Sequence, residues 1–429
     1  MCKRRIVIVV LGSACGGTAG SGIDKSINAG IYYVENSKPI DAITGFDVSD
    51  DFSRFEQRNE IYCRSEWDPE IKSDKAEQFF RGHYMPYARS RNADGFSQRD
   101  YALRNATWHV TNVIRDLRRS SDDRKEGFFD TFTAHEEGWP EPYPFDSPAD
   151  ATANLRKAAT SIGAGLVGIC EYDERWIYST RYSEKTQQSK SVDVPEDLPF
   201  VIVIGEPMDK DLTATVPSAL SGSATGMGYT HDTVVLLTIA QYIRNLGYDA
   251  IASMNDSALA IPLAVQAGLG EVGRHSLLIT EEYGPRLRLG KIFTNMPLVV
   301  DQPKRFGVKE FCDICQRCSN ACPPKAITFT APSREAHSVS NLRGVLKWTT
   351  HAEKCFRFWA GQNSDCSICI RVCPYNRDFS QWRNRVWRWL AEETGDGEPE
   401  ASRARMMAPG ALLALAGAAI IFAAAFILP

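Results

Sequence analysis

Eight cysteines between Cys312 and Cys373 carry spacing with chemical meaning. The first group reads Cys312-x2-Cys315-x2-Cys318-x3-Cys322-Pro323, and the second Cys355, then Cys366-x2-Cys369-x3-Cys373-Pro374. Two-residue gaps let thiolates on one short loop converge on the faces of a cubane iron–sulfur cluster. The fourth cysteine of each group, followed by proline, conventionally serves the other cluster. The expected ligand sets are Cys312, Cys315, Cys318 and Cys373 for one [4Fe-4S] cluster, and Cys355, Cys366, Cys369 and Cys322 for the other. A disulfide framework or a zinc site is the competing reading, and the doubled cysteine–proline endings argue against it. The gap of ten residues between Cys355 and Cys366, where a tight double-cluster fold has two, implies an inserted loop and makes Cys355 the odd ligand.

The rest of the chain must hold these clusters and use them. With 429 residues there is room for two or three domains and a large core. A net charge of −4, without a basic stripe interleaved with aromatics, points away from a nucleic-acid partner. The apolar and charged fractions, 43% and 24%, are those of a globular protein. Cys2, Cys15, Cys63 and Cys170 follow no pattern, and Cys170 lies in an apolar run that reads as core. Clusters beside unpaired thiols suit a reducing compartment.

Along the chain, Lys3-Arg4-Arg5 precedes an apolar run, Ile6–Leu11, too short for a signal core; a buried strand or an irregular start is the plainer reading. Residues 1–148 form a polar, variable N-terminal region. Ser53–Glu60 and Asp100–Arg119 read as helices, the latter with Tyr101, Leu103, Trp108, Val110, Val113 and Leu117 as its buried stripe. His83, His109 and His135 lack ligand spacing. Gly138–Ser147 reads as a boundary loop. From 149 to 305 helices and strands alternate. Ala151–Ser161 and His231–Leu246 are expected helices, the second ended by Gly247. Ala164–Cys170, Phe200–Gly205 and Ala250–Ser253 are expected strands. Ser257–Ala267 reads as a helix despite Pro262. Leu277–Thr280 and Leu287–Thr294 are strands close enough for a hairpin-type pairing. The expected fold is α+β with a mixed sheet. Gly268-Leu-Gly270-Glu-Val-Gly273 lacks the strand-before, helix-after context of a nucleotide fingerprint. It reads as a turn needing unusual backbone angles, as a close approach to a large flat cofactor, or as both.

Residues 306–380 form the double-cluster segment. Residues 381–405 hold a helix with Trp382, Trp387, Trp389, Arg383, Arg385 and Arg388, either lying at a membrane surface or packed on the domain, and then a polar linker. Met406–Pro429 is an uncharged run of 24 residues, enough to span a bilayer core as a helix. Arg403 and Arg405 before it place the catalytic part on the cytoplasmic side, with the run as a C-terminal membrane anchor.

Taken together, the stretch 150–380 resembles the corrinoid-dependent reductive dehalogenases, relatives of epoxyqueuosine reductase. The resemblance rests on Gly228-Tyr229-Thr-His-Asp, Met254-Asn255-Asp256, Gln266 through Arg274, and Gly284-Pro-Arg286-Leu-Arg288, followed by the two cysteine groups in the family's order. It implies a nitroreductase-like corrinoid-binding domain, then a bacterial ferredoxin-like 2[4Fe-4S] domain, with cobalamin bound base-off. By similarity Tyr229 supplies a proton, Arg288 lowers its pKa and Asn255 holds the polar groups. Gly268, Gly270 and Gly273 would border the corrinoid. Strand alternation makes Arg286 the competing arginine.

The chemistry agrees: reductive cleavage of a carbon–halogen bond takes two electrons and one proton, and a guanidinium within about 4–6 Å of a tyrosine favours its phenolate. An organohalide substrate and an external electron donor (ferredoxin, flavodoxin or a reductase) follow. The alternatives are an epoxyqueuosine reductase-like tRNA-modifying enzyme, which would want an acidic donor near Asp256, and a membrane iron–sulfur electron-transfer protein.

Overall fold

The structure, a computed structural model, describes residues 46–81, 93–119, 138–183, 186–192, 194, 197–379 and 381–387. Cys2, Cys15, His83, His135, Trp389, Arg388 and the apolar run 406–429 lie outside them. Among the described residues no helix is long and apolar enough to cross a membrane.

Among the described residues the first helices are α1 Ile61–Trp67, α2 Asp74–Arg81 and α3 Gln98–Arg119. Then come α4 Pro148–Ile162, β1 Leu166–Glu171, the ribbon β2 Thr180–Ser183 with β3 Gln188–Ser191, β4 Phe200–Pro207, α5 Lys210–Ala214, α6 Gly222–Asn245 and β5 Ala250–Ser253. The domain closes with α7 Ala260–Gln266, β6 Glu271–Val272, β7 Leu278–Ile279 and β8 Leu287–Thr294. The cysteine-rich part adds α8 Val308–Ile314, α9 Arg317–Ala321, α10 Ala352–Gln362 and α11 Ile368–Val372.

Local chemistry accounts for the helix ends. Ser147 caps α4, its Oγ accepting from Asp150 N at 3.2 Å, with Pro148 in the first turn and Gly163 left-handed (φ +112°) after the last. Gly247, at φ +79°, ends α6 as expected, its N–H donating to the Arg244 carbonyl at 2.8 Å. Pro262 falls inside the first turn of α7, where its missing N–H leaves no bond unmade. The start of α6 lies nine residues earlier than the apolar periodicity suggests, at Gly222 rather than His231. Gly222, Gly226 and Gly228 disfavour a helix by propensity, but packing overrides them. A Cβ on Gly226 would lie 2.4 Å from Thr107 Oγ1 and from Trp108 Cδ1, so the glycines let α3 seat directly on α6.

That seat corrects the expected face of α3. Leu103, Val110 and Val113 are exposed, while Tyr101, Arg104, Thr107 and Thr111 are buried. Thr230 Oγ1 donates to the Thr107 carbonyl at 2.7 Å, and the hydroxyls of Thr111 and Thr233 lie 3.2 Å apart. The interface is closed by small polar contacts, which hydrophobic periodicity does not register.

The sheet runs β1-β4-β8-β5, and all of its pairings are antiparallel rather than mixed. The crossover through α6 makes β4 and β5 parallel to each other, but β8 enters between them, so they never touch. Nor does β7 pair with β8 as a hairpin; it pairs with β6 instead. Ile169, Ile202, Ile204 and Ile292 face α4 and α6, while Cys170, Val201, Val203 and Phe293 face α7 and Trp176. The sheet is therefore covered on both sides.

The cysteine-rich part is bound to this domain by two arginines. Buried Arg274 donates to the carbonyls of Cys312 (2.9 Å), Thr328 (3.1 Å), Thr330 (2.9 Å) and Asp313 (3.3 Å). Arg286 donates to the Asn376 side-chain oxygen and, at 2.5 Å, to the Met208 carbonyl. A Cβ on left-handed Gly284 would lie 2.2 Å from the Tyr375 carbonyl, so this junction admits only glycine. Trp387 packs on Phe311 and Tyr375, while Trp382 stays exposed.

Candidate active site

Tyr229 sits in the first half of α6, 7% exposed. Asn255, on the turn after β5, donates from Nδ2 to its hydroxyl at 2.8 Å. Arg288, near the start of β8, lays its guanidinium carbon 3.9 Å from the ring centroid. The indole of Trp108, from α3, lies 4.7 Å from the same ring at a tilt of 33°. Two groups this close cannot share one face, so the phenol is held between a cation and an indole. Gly228 makes the arrangement possible, because a Cβ there would lie 2.6 Å from Arg288 Cγ. The three residues singled out by resemblance are thus brought together. Arg286 is not with them, being committed to the domain junction.

Behind the trio lies a buried charged group that the sequence reading missed. Glu206 on β4 is the register partner of Arg288. Burial pushes its carboxyl up to about 8, and the charge of Asp232 adds to this. Asp232, almost one turn after Tyr229, is pushed up by burial to about 7 against the pull of Arg288 and Lys291. Lys291 is lowered by burial to about 8, with Asp256 and Asp232 opposing. Its ammonium donates to the Met254 carbonyl, which fixes the turn carrying Asn255. The signal was present in the sequence: Glu206 is the lone charge of an otherwise apolar strand, Lys291 shares its strand with only one other charge, Arg288, and Asp232 stands at i+3 from Tyr229. Asp256 faces inward, accepting from Ser253 Oγ at 3.3 Å, and is not placed as a donor to the cavity.

Asn255 and Arg288 line a largely apolar cavity of about 590 Å³. Its lining also includes Cys322, Cys355, Cys366 and Cys369. His275 also lines it. The Leu277 N–H donates to His275 Nδ1 at 3.2 Å, so a neutral ring carries its proton on Nε2, which is buried and has no partner. Burial lowers this histidine to about 4, which keeps it neutral. A roomy apolar cavity with an unanswered donor in its wall fits a large cofactor bearing acceptor groups at its edge. The glycine loop has a different job. A Cβ on Gly268 would lie 2.5 Å from the Gln302 carbonyl, one on Gly270 2.1 Å from the Ile279 carbonyl, and one on Gly273 2.6 Å from Ile279 Cδ1. None of the three borders the cavity. They serve close packing of the chain on itself, and the expected cofactor role is not carried by this geometry.

The described cysteines are all free thiols, which disposes of a disulfide framework among them. Burial pushes the Cys312 thiol up, and Cys373, Cys315 and Cys318 are the thiols whose charge adds to it. Cys355 responds in the same way to Cys366 and Cys322. Cys369 neighbours Cys355, Cys366 and Cys322, and also Cys318 across the seam. Cys312, Cys315, Cys318 and Cys373 thus lie near one another, as do Cys322, Cys355, Cys366 and Cys369, with Cys318 also packed beside Cys322. Among the described residues no group of three His, Cys, Asp or Glu closes on a single ion. A cubane holds its thiolates on different irons and so further apart.

Comparison with known proteins agrees with this layout. Residues 177–298 match the family model of the reductive dehalogenase subunit, and residues 311–376 that of the 4Fe-4S double cluster binding domain. The chain is 36% identical over 283 residues to a tetrachloroethene reductive dehalogenase of Desulfitobacterium hafniense, covering 57% of this chain and 51% of that protein. A tetrachloroethene reductive dehalogenase of Sulfurospirillum multivorans is 34% identical over 272 residues, covering 58% and 54%. An epoxyqueuosine reductase of Synechocystis is 38% identical over only 123 residues, 28% of this chain and 39% of that one. The chain therefore spans about half the length of the curated dehalogenases it matches. Among solved structures, the catabolic reductive dehalogenase NpRdhA superposes with a TM-score of 0.61 at 22% identity, over 84% of this chain and 46% of that one.

Proposed function

We propose that this chain, which has the reductive dehalogenase fold followed by a 4Fe-4S double-cluster domain, is a reductive dehalogenase that replaces the halogen of an organohalide with hydrogen. The observation that carries this reading is the sandwich of Tyr229 between Arg288 and Trp108, with Asn255 on its hydroxyl, where Asn255 and Arg288 line a cavity that four of the cysteines line as well. The overall change is R–X plus two electrons and one proton, giving R–H and halide. In this proposal Cys312, Cys315, Cys318 and Cys373 hold one [4Fe-4S] cluster, and Cys322, Cys355, Cys366 and Cys369 the other. The cavity would hold a base-off cobalamin, with His275 Nε2 donating to its rim; when bound, it supplies a low-valent cobalt able to reduce the carbon–halogen bond.

The chain's own residues then handle the proton. Tyr229 holds it at Oη and releases it toward the substrate carbon. Asn255 Nδ2 donates to that oxygen, and the Arg288 cation lies over the ring, so both favour negative charge as it develops there. Trp108 fixes the ring and keeps water from its second face. The apolar lining suits a halogenated hydrocarbon or arene rather than a charged substrate. An external ferredoxin, flavodoxin or reductase would deliver electrons, and residues 406–429 would anchor the protein with this part on the cytoplasmic side. These last points rest on sequence alone.

The test is anaerobic reconstitution with iron, sulfide and cobalamin, followed by halide release from a chloroethene and from a halogenated phenol under a low-potential reductant. Iron and corrinoid bound without halide release from any organohalide would refute the reading. Queuosine formation in tRNA would favour the alternative that the inward-facing Asp256 argues against.

A further inference from the structure

The ten residues between Cys355 and Cys366 look like an interruption of the second cysteine motif, but they fold into most of α10, with Cys355 near its start. Trp359 stands four residues after Cys355. Side chains at i and i+4 are neighbours on a helix face, and each leans toward the N-terminus, which carries the indole back over the cysteine. The ring is held there by Tyr62 and Phe79, each 6.2 Å from it, in an aromatic cluster that joins α1 and α2 to α10. Its Nε1 is buried and meets no acceptor. Cys355 and Trp359 both border the cavity. A buried N–H is not left unanswered without reason, and the acceptor that the i,i+4 spacing offers it is the Cys355 sulfur.

We propose that Trp359 is a tuning residue for the cavity-side cluster, its indole N–H donating to the Cys355 thiolate in the loaded protein. The proposal rests on the double-cluster reading above. Reduction adds negative charge to a cluster. A donor dipole aimed at a ligand sulfur stabilises that charge, and the low local dielectric strengthens the effect. The cluster beside the cavity therefore takes an electron more readily than its thiolates alone would allow, and electrons gather next to the reaction centre rather than at the Cys312 side. The inserted helix exists to place this donor.

The experiment is an anaerobic redox titration of the reconstituted full chain followed by electron paramagnetic resonance. Wild type should give two midpoints. In Trp359→Phe, which keeps the aromatic stack and removes the N–H, one midpoint should fall while the other stays. A tenfold change in the reduction equilibrium would appear as about 59 mV for one electron. Phe356→Leu, which disturbs the same aromatic cluster without touching the donor, should move neither. Wild type grown on 15N-tryptophan supplies a reading that needs no variant: a nitrogen hyperfine coupling on one reduced cluster. Unchanged midpoints in Trp359→Phe at full iron content, an equal fall in Phe356→Leu, or no nitrogen coupling would each overturn the proposal. A preparation lacking both cluster signals would instead sink the double-cluster reading on which it stands.

Discussion

Tyr229 owes its setting to neighbours from separate elements: Asn255 from the turn after β5, Arg288 from β8 and Trp108 from α3. Removing only the hydroxyl leaves the sandwich intact. Tyr229→Phe should lower dehalogenation by about 10²–10⁴-fold while iron and corrinoid content, read by absorbance, stay at wild-type levels; retained turnover would take the proton-donor role from this residue. Beneath it, Asp232 makes a separate prediction. Burial raises its carboxyl from 3.8 to about 7. Between those values the folded chain keeps a proton that the unfolded chain has lost, so unfolding releases it and stability falls as pH rises through that window. Asp232→Asn should flatten that fall by up to about 1.4 kcal/mol per pH unit, read as the urea midpoint between about pH 5 and about pH 7. Tyr229, Asn255 and Arg288 were legible in the sequence only through the resemblance to the reductive dehalogenases. Their buried partners Glu206, Asp232 and Lys291 had a plainer signal, charges set within apolar periodicity, that was open to reading without any resemblance.

At the scale of elements, the periodic stretches announced themselves. The strands at Phe200 and Ala250 follow from short apolar runs, and the helix expected over Ala151–Ser161 extends back to Pro148 behind its Ser147 cap. What the sequence concealed is decided by partners far along the chain. The insertion of β8 between β4 and β5 leaves no local mark, and the glycine-rich start of α6 is helical only because α3 packs on it. That dependence is testable. Gly226→Ala improves local helix propensity, yet its Cβ would press on Thr107 and Trp108. The variant should lose about 1–3 kcal/mol in denaturant melts, and stabilisation would mean that the α3–α6 contact is looser than the geometry implies.

Across the whole molecule, the sheet domain and the cysteine-rich part share a buried arginine. Arg274 spreads its guanidinium over carbonyls of Cys312, Asp313, Thr328 and Thr330, with its face 4.9 Å from the Trp348 ring. A lysine keeps the charge but not the fork. Arg274→Lys should split a single calorimetric transition of the reconstituted protein into two and release iron before the sheet melts. A single sharp transition would show that the two parts are joined by other means.

The short link from Cys373 through Asn376 and Arg286 to Arg288 has a consequence for how the protein matures. Asn376 N donates to the Cys373 carbonyl at 2.9 Å, and its side chain takes the hydrogen bond of Arg286, two residues before Arg288. Cells that make the polypeptide faster than they can build clusters would accumulate chains in which the loop after Cys373 is unmoored. The start of β8, and the guanidinium over Tyr229 with it, would be unmoored too. Supplying cobalamin afterwards would not rescue such material. For the proposed enzyme, cluster insertion would come first, and the yield of competent protein in a foreign host would be set by iron–sulfur assembly before it is set by the vitamin.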